Sequence, residues 1–514
     1  MEYERGLVVR TVGALPVVAA LAERLGLVEA VDRFCPIRSV ADYSHGQVVL
    51  ALVANRLSHP RPLSSFVDWG EQYAVLETLG IEPGKLNDDR LGRTLDALAE
   101  QLDEVLNLVA RRAIERFGIS IAELHWDLTH LAFTGSYADQ DDEHPRVRKG
   151  RTPEQTIVRQ VRTGLLVSDD GAVPLVAKSF DGSSNDVITV EPALARLDAL
   201  RAALPAPGEP PLLVGDSKLL SAANVRAFEA RGLRFVCPHP KDAPMKRRLV
   251  ALEERKLLPL GYRPQRQRGQ ERRYLAREDN LSIGSSQLRA LLVLSLDDRD
   301  AARAQREKQL ARAEDELGKL NRGVPTFKRS AAETERRARA ILERRRVRQL
   351  TQLTINTSGS YPQAELQRDQ EAIAEAERLD GRYCLVSNDQ QLSPDELFAA
   401  YKRQHLVEGR FADFKGPLVV RPVFLHNNKR INALVAITSL ALLLYGLIER
   451  TVRRGLDTLA DQQRRLLQQR IGRATGRKIL EQLSTLTAIR VRDGPLRLGE
   501  PRPAQQLLLQ LLEI

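Results

Sequence analysis

The sequence predicts a mixed α/β protein in which a helical amino-terminal region precedes a sheet-containing core. Apolar residues recur at helical spacing through residues 1–118, and the pattern then alternates from Ile121 to Leu131, which indicates a strand. Further on, two short strands are followed by a strand–helix–strand pattern, which favours a mixed sheet. The chain has 514 residues, of which 43% are hydrophobic and 28% charged, as in a soluble globular protein with several structural units.

Cysteine content and the amino terminus exclude two classes of protein. The three cysteines, Cys35, Cys237 and Cys384, lie far apart in the sequence and form no C-x-x-C pair. This pattern excludes a disulfide scaffold and argues against a thiolate zinc site. The first ten residues lack the basic start and apolar run of a signal peptide, so we expect a cytoplasmic protein.

Taken in order, the elements of the first half follow from apolar spacing and from Pro and Gly punctuation. Asp169-Asp170-Gly171 is a hairpin signal between two short apolar runs. The predicted helices are Leu15–Phe34, Gly46–Leu57, Asp89–Phe117, 188–204 and 217–231, and the predicted strands are Ile121–Leu131, Gly164–Ser168, Val173–Phe180, Leu212–Val214 and Arg234–Cys237.

The second half contains a long charged segment. Residues 297–322 and 327–350 are predicted to be two helices that form a hairpin, with Gly318, Gly323 and Pro325 supplying the break. Arg382–Ser387 returns to strand character. A helix then begins at Ser393-Pro394-Asp395-Glu396, where Ser is the N-cap, Pro occupies the first helical position and Glu completes a capping box.

The excess of positive charge is confined to residues 241–350, which include the two charged helices. Residues 241–350 carry a net charge of +13 whereas the whole chain carries +11, so the remainder is slightly acidic. Such a concentration of charge indicates a binding surface for a polyanion. A solvated helical face with internal salt bridges is the alternative.

One apolar run raises the question of a membrane. Ile431–Ile448 is about as long as the shortest membrane-spanning helices. Asn432, Thr438 and Ser439 dilute it, and the sequence contains no second run of this kind. We therefore favour a helix buried inside the protein and expect no membrane association.

Three carboxylates lie where they could share a site. Asp127 lies within the first predicted strand, and Asp216 follows an apolar strand and precedes a helix, where open α/β sheets bind ligands. Each could instead be an ordinary strand or helix-cap residue. Glu408 belongs to a polar set, Tyr401, Gln404, Glu408 and Lys415, whose spacing of 3, 4 and 7 predicts one helical stripe.

The motif Tyr401-x-x-Gln404-x-x-x-Glu408-x-x-x-x-x-x-Lys415 resembles the Tyr–Arg–Glu–Lys signature of bacterial insertion-sequence transposases of the IS-four superfamily. The resemblance extends over most of the chain, with each motif in the order of the family. The further motifs are GALPVVAALAERLGLVEAVDRF, HWDLTHLAFTG, VPLVAKSFDGSSND, LLVGDSKLLS, DGRYCLVSN and YKRQHLVEGRFADFKGPLVVRPVF.

This resemblance implies a ribonuclease-H-like core whose Asp, Asp and Glu bind divalent metal. By position, the catalytic and metal-binding residues would be Asp127, Asp216 and Glu408. In-line attack on a phosphodiester calls for hard oxygen ligands that hold two Mg²⁺ ions, with Mn²⁺ as a possible substitute. The basic insertion lies where the superfamily places an insertion domain.

The resemblance also implies residues that contact DNA. The Arg of the signature is Gln404 here, which offers a neutral donor in place of a charged fork. Lys415 retains the Lys of the signature, and Tyr401 retains its Tyr. The further candidates for phosphate contacts are Arg421, Lys429 and Arg430.

We therefore interpret the chain as a DNA transposase that cuts the ends of its element and joins them to target DNA. We expect residues 1–118 to read terminal repeats, 119–240 and 376–450 to form the core, 241–375 to form the basic, largely helical insertion, and 451–514 to be helical. A homodimer is expected when two DNA ends are joined. The alternatives are a remnant that binds ends without cutting, for which Gln404 is the sequence hint, and a nuclease acting on RNA or branched DNA.

Overall fold

A computed structural model describes residues 7–37, 41–137, 140–152, 156–185, 187–206, 208–263, 273–322, 330–416, 418, 425, 427–491 and 497–514. The chain divides into two compact units. The first unit comprises residues 1–234 and 402–514, and the second comprises 235–401. The predicted boundaries of the insertion, 241 and 375, lie inside the second unit.

The amino-terminal region is mainly helical, as predicted. Its elements are β1 (Leu7–Thr11), α1 (Leu15–Leu25), α2 (Leu27–Phe34), α3 (His45–Ser58), α4 (Phe66–Gln72), α5 (Val75–Leu79), α6 (Asp88–Glu100) and α7 (Leu102–Phe117). The predicted helix Leu15–Phe34 is two helices, because Gly26 adopts a left-handed conformation with φ of 62° between them. Ser44 and Gln47 form a capping box that starts α3 where the sequence predicts a helix.

The first unit then forms a mixed sheet. Its elements are β2 (Glu123–Phe133), β3 (Arg148–Arg151), β4 (Ile157–Ser168), β5 (Pro174–Phe180), α8 (Val190–Ala202), β6 (Leu212–Val214) and α9 (Ala222–Ala230). The strand order is β3-β4-β2-β6, and β5 also pairs with β4. β2 runs antiparallel to β4 and parallel to β6. The mixed sheet predicted from the sequence is therefore confirmed.

The second unit has more strand than expected. The segment contains β7 (Arg234–Pro238), α10 (Ala243–Val250), β8 (Leu258–Pro259), β9 (Tyr274–Ile283), β10 (Ser286–Ser295), α11 (Leu296–Arg322), α12 (Ala331–Arg345), β11 (Thr351–Asn356), β12 (Gln363–Arg368), α13 (Gln370–Leu379), β13 (Arg382–Ser387) and α14 (Pro394–Lys402). Strands β7-β13-β10-β9-β8 are antiparallel neighbours, and β11 pairs with β12.

The two charged helices predicted in the insertion are confirmed as α11 and α12. They enclose an apolar cluster of their own, which includes Leu310, Leu317 and Leu342. Gly318 lies inside α11, whereas Gly323 and Pro325 lie outside the described residues. The expectation of a largely helical insertion is incomplete, because β9 and β10 form a long hairpin. Charged residues on the exposed positions of β9 obscure its alternation in the sequence.

The carboxyl-terminal part returns to the first unit. Its elements are α15 (His405–Lys415), α16 (Asn428–Gly455), α17 (Asp461–Ile471), α18 (Gly476–Leu483), β14 (Thr487–Val491), β15 (Arg497–Leu498) and α19 (Pro503–Leu511). The region after 451 is not helical throughout, since β14 pairs with β1 and β15.

Helix α16 contains the long apolar run. Among the described residues it is the one helix long and apolar enough to cross a membrane, and 89% of its most apolar window is buried within the protein. The predicted buried helix is confirmed. Asn427 accepts a hydrogen bond from the N–H of Arg430 and so caps the start of this helix.

Candidate active site

Asp127 lies within β2, and Asp216 lies two residues beyond the end of β6, the strand that pairs with β2. In the parallel pairing of β2 with β6, His125 is opposite Val214. Asp127 and Asp216 each follow this last pair by two residues, and the negative charge of Asp216 acts on Asp127. Gly215 fits closely between them, because a Cβ there would lie 3.3 Å from the Trp126 carbonyl oxygen.

Each aspartate is oriented by backbone hydrogen bonds. Asp127 accepts from the N–H of Leu128 at 2.7 Å. Asp216 accepts from the N–H of Lys218 at 3.0 Å and caps the short 3-10 turn Ser217–Leu219. The sequence prediction of a helix over 217–231 is therefore shifted, since α9 begins only at Ala222.

Glu408 lies in the first turn of α15, but the predicted single stripe is wrong. Helix α14 ends at Lys402 and α15 begins at His405, so Tyr401 belongs to a different helix from Glu408 and Lys415. The chain turns at Arg403 and Gln404, because both side chains bond to β2 rather than continuing a solvated helix face.

Electrostatics couples the three carboxylates. Burial, followed by the negative charges of Asp216 and Glu408, raises the pKa of Asp127 from its ordinary value of 3.8 to about 7. The hydrogen bond from Leu128 opposes this rise. Burial also raises the pKa of Asp216. All three side chains belong to the first unit, and two of them act directly on the charge of the third.

Two cations near the aspartates were not predicted. The charge of Lys218 lowers the pKa of Asp127, and that of Arg162 lowers the pKa of Asp216. Lys218 follows Asp216 by two residues, so the LLVGDSKLLS motif contained a local signal for it. Arg162 comes from β4 and had no such signal, because its position depends on the pairing of β4 with β2.

The donor set fits a divalent cation. In the described part of the chain, none of the carboxylates of Asp127, Asp216 and Glu408 forms an ion pair with Lys, Arg or His. Their oxygens are the hard ligands that Mg²⁺ and Mn²⁺ prefer. The described residues include no group of three His, Cys, Asp or Glu side chains already gathered closely enough to enclose an ion.

The proposed DNA contacts have varied surroundings. Lys415 is half-buried at the carboxyl end of α15, and Tyr401 packs its ring against Tyr383 at 6.1 Å between centroids within the second unit. Gln404 is buried and hydrogen-bonded to Trp126. Arg421 lies outside the described residues.

Lys429 and Arg430 begin α16 and form ion pairs with α6. Lys429 pairs with Glu100, and Arg430 donates to the Asp96 carboxylate at 2.8 and 2.7 Å. These acids compete with any phosphate for the two cations. A DNA contact by either residue stays a prediction.

The fold and the site together define a class of protein. It is a mixed α/β protein in which strand β2, the turn after strand β6 and helix α15 carry three electrostatically coupled carboxylates.

The chain belongs to the family described as the transposase DDE domain, whose model matches residues 146–444, more than half of the chain. The matched range includes Asp216 and Glu408 and begins after Asp127, so the place of Asp127 in the site depends on the β2–β6 register. Residues 7–110 match a domain of unknown function (DUF4277).

The chain was also compared with curated proteins and with solved structures. No curated protein matches the chain. Among solved structures, the synaptic complex of piggyBac transposase with hairpin DNA is similar over 85% of this chain and 76% of that chain, with 9% sequence identity and a TM-score of 0.38.

Proposed function

We propose that the chain is a DNA transposase that cleaves strands at the ends of its element and transfers them into target DNA. The observation that carries this proposal is the coupling of Asp216 and Glu408 to Asp127, whose pKa rises to about 7. Buried carboxylates with raised pKa values, as at Asp127 and Asp216, are typical of functional sites, and a bound metal ion would offset their repulsion. Membership in the transposase family supports strand cleavage and transfer as the reaction of that site.

Asp127, Asp216 and Glu408 would hold the metal. Bound there, Mg²⁺ or Mn²⁺ would supply the charge that activates a water or 3′-hydroxyl and stabilises the leaving oxygen. The protein orients the ligands: the Leu128 and Lys218 N–H groups each fix one aspartate. Because Asp127 retains its proton up to about neutral pH, metal binding should release that proton.

DNA is the proposed partner. We assign terminal-repeat recognition to residues 1–118, and contacts near the cleaved strand to Tyr401, Lys415, Arg421, Lys429 and Arg430. The reaction joins two ends, so we propose a homodimer in the DNA complex. We also propose a cytoplasmic location with access to the nucleoid.

We propose that a groove in the basic insertion binds phosphate, although one of its arginines, Arg306, already pairs with Asp380 at 2.6 Å. A groove of about 540 Å³ between α11 and the end of α12 is lined by Arg306, Arg344, Arg345 and Arg346. Arg344 and Arg345 pair with Glu316, which neutralises part of this charge. Arg346 has a left-handed backbone with φ of 59°, an uncommon conformation for arginine.

The proposed function is tested with a labelled duplex that carries the inverted repeats flanking the gene. We expect Mg²⁺-dependent nicking at the repeat boundary and joining of the released 3′ end to a supercoiled plasmid. Binding without any cleavage would support a remnant that binds ends. Preference for RNA or branched DNA over the repeat duplex would support a nuclease of a different type.

A further inference from the structure

A buried polar network joins β2 to the turn before α15. Gln404 Nε2 donates to the Trp126 carbonyl oxygen at 3.0 Å, and Gln404 Oε1 lies 3.3 Å from His125 Nδ1. His125 Nε2 lies 3.0 Å from Glu123 Oε1, to which Arg403 Nε donates at 2.6 Å. His125 is fully buried, and Gln404 and Glu123 are each 8% exposed.

The network connects the two elements that carry site residues. Trp126 directly precedes Asp127 in β2, and Gln404 is the N-cap residue of α15, four residues before Glu408 in its first turn. Asp127 and Glu408 form no hydrogen bond to each other in the described structure. The distance between their carboxylates is therefore set by how α15 sits on β2.

We propose that Gln404 is a positioning residue that holds Glu408 in place opposite Asp127 through its hydrogen bond to the Trp126 carbonyl. This inference rests on the proposed function, in which Glu408 is a metal ligand. In the described part of the chain, Gln404 forms no hydrogen bond to Asp127 or Glu408. It acts on the orientation of α15, as outer-shell residues act on metal ligands.

The network also explains why glutamine replaces the arginine of the signature. Gln404 meets an acceptor, the Trp126 carbonyl, and a ring nitrogen of His125, and an amide can serve both as donor and as acceptor. An arginine offers only donors and would bring a charge into a buried position. The cation that balances Glu123 is Arg403, one residue earlier.

The test uses Gln404→Met, which keeps the size of the side chain and removes both hydrogen bonds. Gln505→Met is the matched control, because Gln505 is also buried and its Nε2 donates to a carbonyl oxygen, that of Gln482, at 2.9 Å. The full-length protein is titrated with Mn²⁺ alone, and the readout is the Mn²⁺ concentration that gives half the maximal rise in melting temperature. Strand cleavage is not needed for this measurement.

We expect Gln404→Met to raise that Mn²⁺ concentration about tenfold and Gln505→Met to leave it unchanged. We also expect Gln404→Met to add nothing in a Glu408→Gln background, because the residue through which it acts is already lost. A purely structural role would lower the melting temperature in both backgrounds without moving the Mn²⁺ midpoint.

The outcomes separate the inference from the proposed function. If Glu408→Gln leaves the Mn²⁺ response intact, Glu408 is not a ligand and the proposed site is wrong. If Glu408→Gln abolishes the response but Gln404→Met leaves the midpoint unchanged, only the inference about Gln404 is overturned. Should Gln404→Met not fold, Gln404→Asn takes its place: it retains the amide, and its shorter side chain must shift α15 to reach Trp126. An unchanged Mn²⁺ midpoint in Gln404→Asn would overturn the inference equally.

Discussion

Without metal, the carboxylate at Asp127 should make the protein less stable as the pH rises. Its pKa in the folded protein is about 7, against an ordinary value of 3.8. Below pH 3.8 the group is protonated in both the folded and the unfolded chain, so it contributes nothing. Between these values the unfolded chain loses the proton and the folded chain retains it, which favours unfolding.

The size of this effect follows from the pKa difference. Each pKa unit corresponds to about 1.4 kcal/mol, so Asp127 lowers the free energy of unfolding by about 4 kcal/mol at pH 8 and by about 1 kcal/mol at pH 4.5. Asp127→Asn removes the titrating group and can still accept from the Leu128 N–H. The variant should therefore be more stable than wild type, by up to this amount, at pH 8.

The assay is urea unfolding in EDTA at pH 4.5 and pH 8, with fluorescence and circular dichroism as probes. Asp96→Asn is the control of opposite sign, because hydrogen bonding to Arg430 lowers the pKa of Asp96. The free energy of unfolding of Asp96→Asn should be lower than that of wild type at pH 8, and the difference should be smaller at low pH. An Asp127→Asn protein that is no more stable than wild type at pH 8 would show that burial and the neighbouring carboxylates do not destabilise the charged form of Asp127.

Three further predictions concern metal, DNA and the anchoring of α15. Mg²⁺ should raise the melting temperature more at pH 8 than at pH 6, because Asp127 must lose its proton to bind; equal shifts at both pH values in differential scanning calorimetry would contradict this. Arg346→Gln should flatten the log–log salt dependence of duplex binding by about 0.9, one phosphate contact, and an unchanged slope in fluorescence anisotropy would exclude that contact. Arg410→Met should cost about 3–5 kcal/mol in urea unfolding, since it leaves the buried Glu449 without the Arg410 guanidinium; a loss under 1 kcal/mol would show that Arg453 compensates.

The strands that lead to the two aspartates could be predicted from the sequence. Alternation from Ile121 to Leu131 defined β2, and the apolar run before Gly215 defined β6, so Asp127 and Asp216 could be located by local patterns. Their juxtaposition could not be read from either pattern, because it depends on a parallel register between segments about ninety residues apart.

The surroundings of Glu408 were harder to predict. Periodicity alone favoured one continuous helix. In the structure the helix is interrupted before α15, where Arg403 and Gln404 form hydrogen bonds to Glu123 and to the Trp126 carbonyl oxygen of β2. The sequence around Gln404 contains no information about hydrogen-bonding groups that residues 123–126 supply from a distant part of the chain. The same limit applies to the pairing of β1 with β14, which joins the two ends of the chain.

The helices of the insertion were predicted well because their patterns are local. Alternating charges and small apolar residues gave α11 and α12 within a few residues of their bounds. The hairpin of β9 and β10 was missed, since charged residues occupy the exposed positions of β9 and obscure its alternation.

The most direct test of the account is strand cleavage by wild type and by Asp127→Asn, Asp216→Asn and Glu408→Gln. Each protein is incubated with labelled repeat duplex in Mg²⁺, and binding is followed in parallel by gel shift. We predict that wild type cuts at the repeat boundary and that all three variants bind the duplex without cutting it. Cleavage at the wild-type rate by any one variant would contradict the claim that these three carboxylates form a single catalytic site.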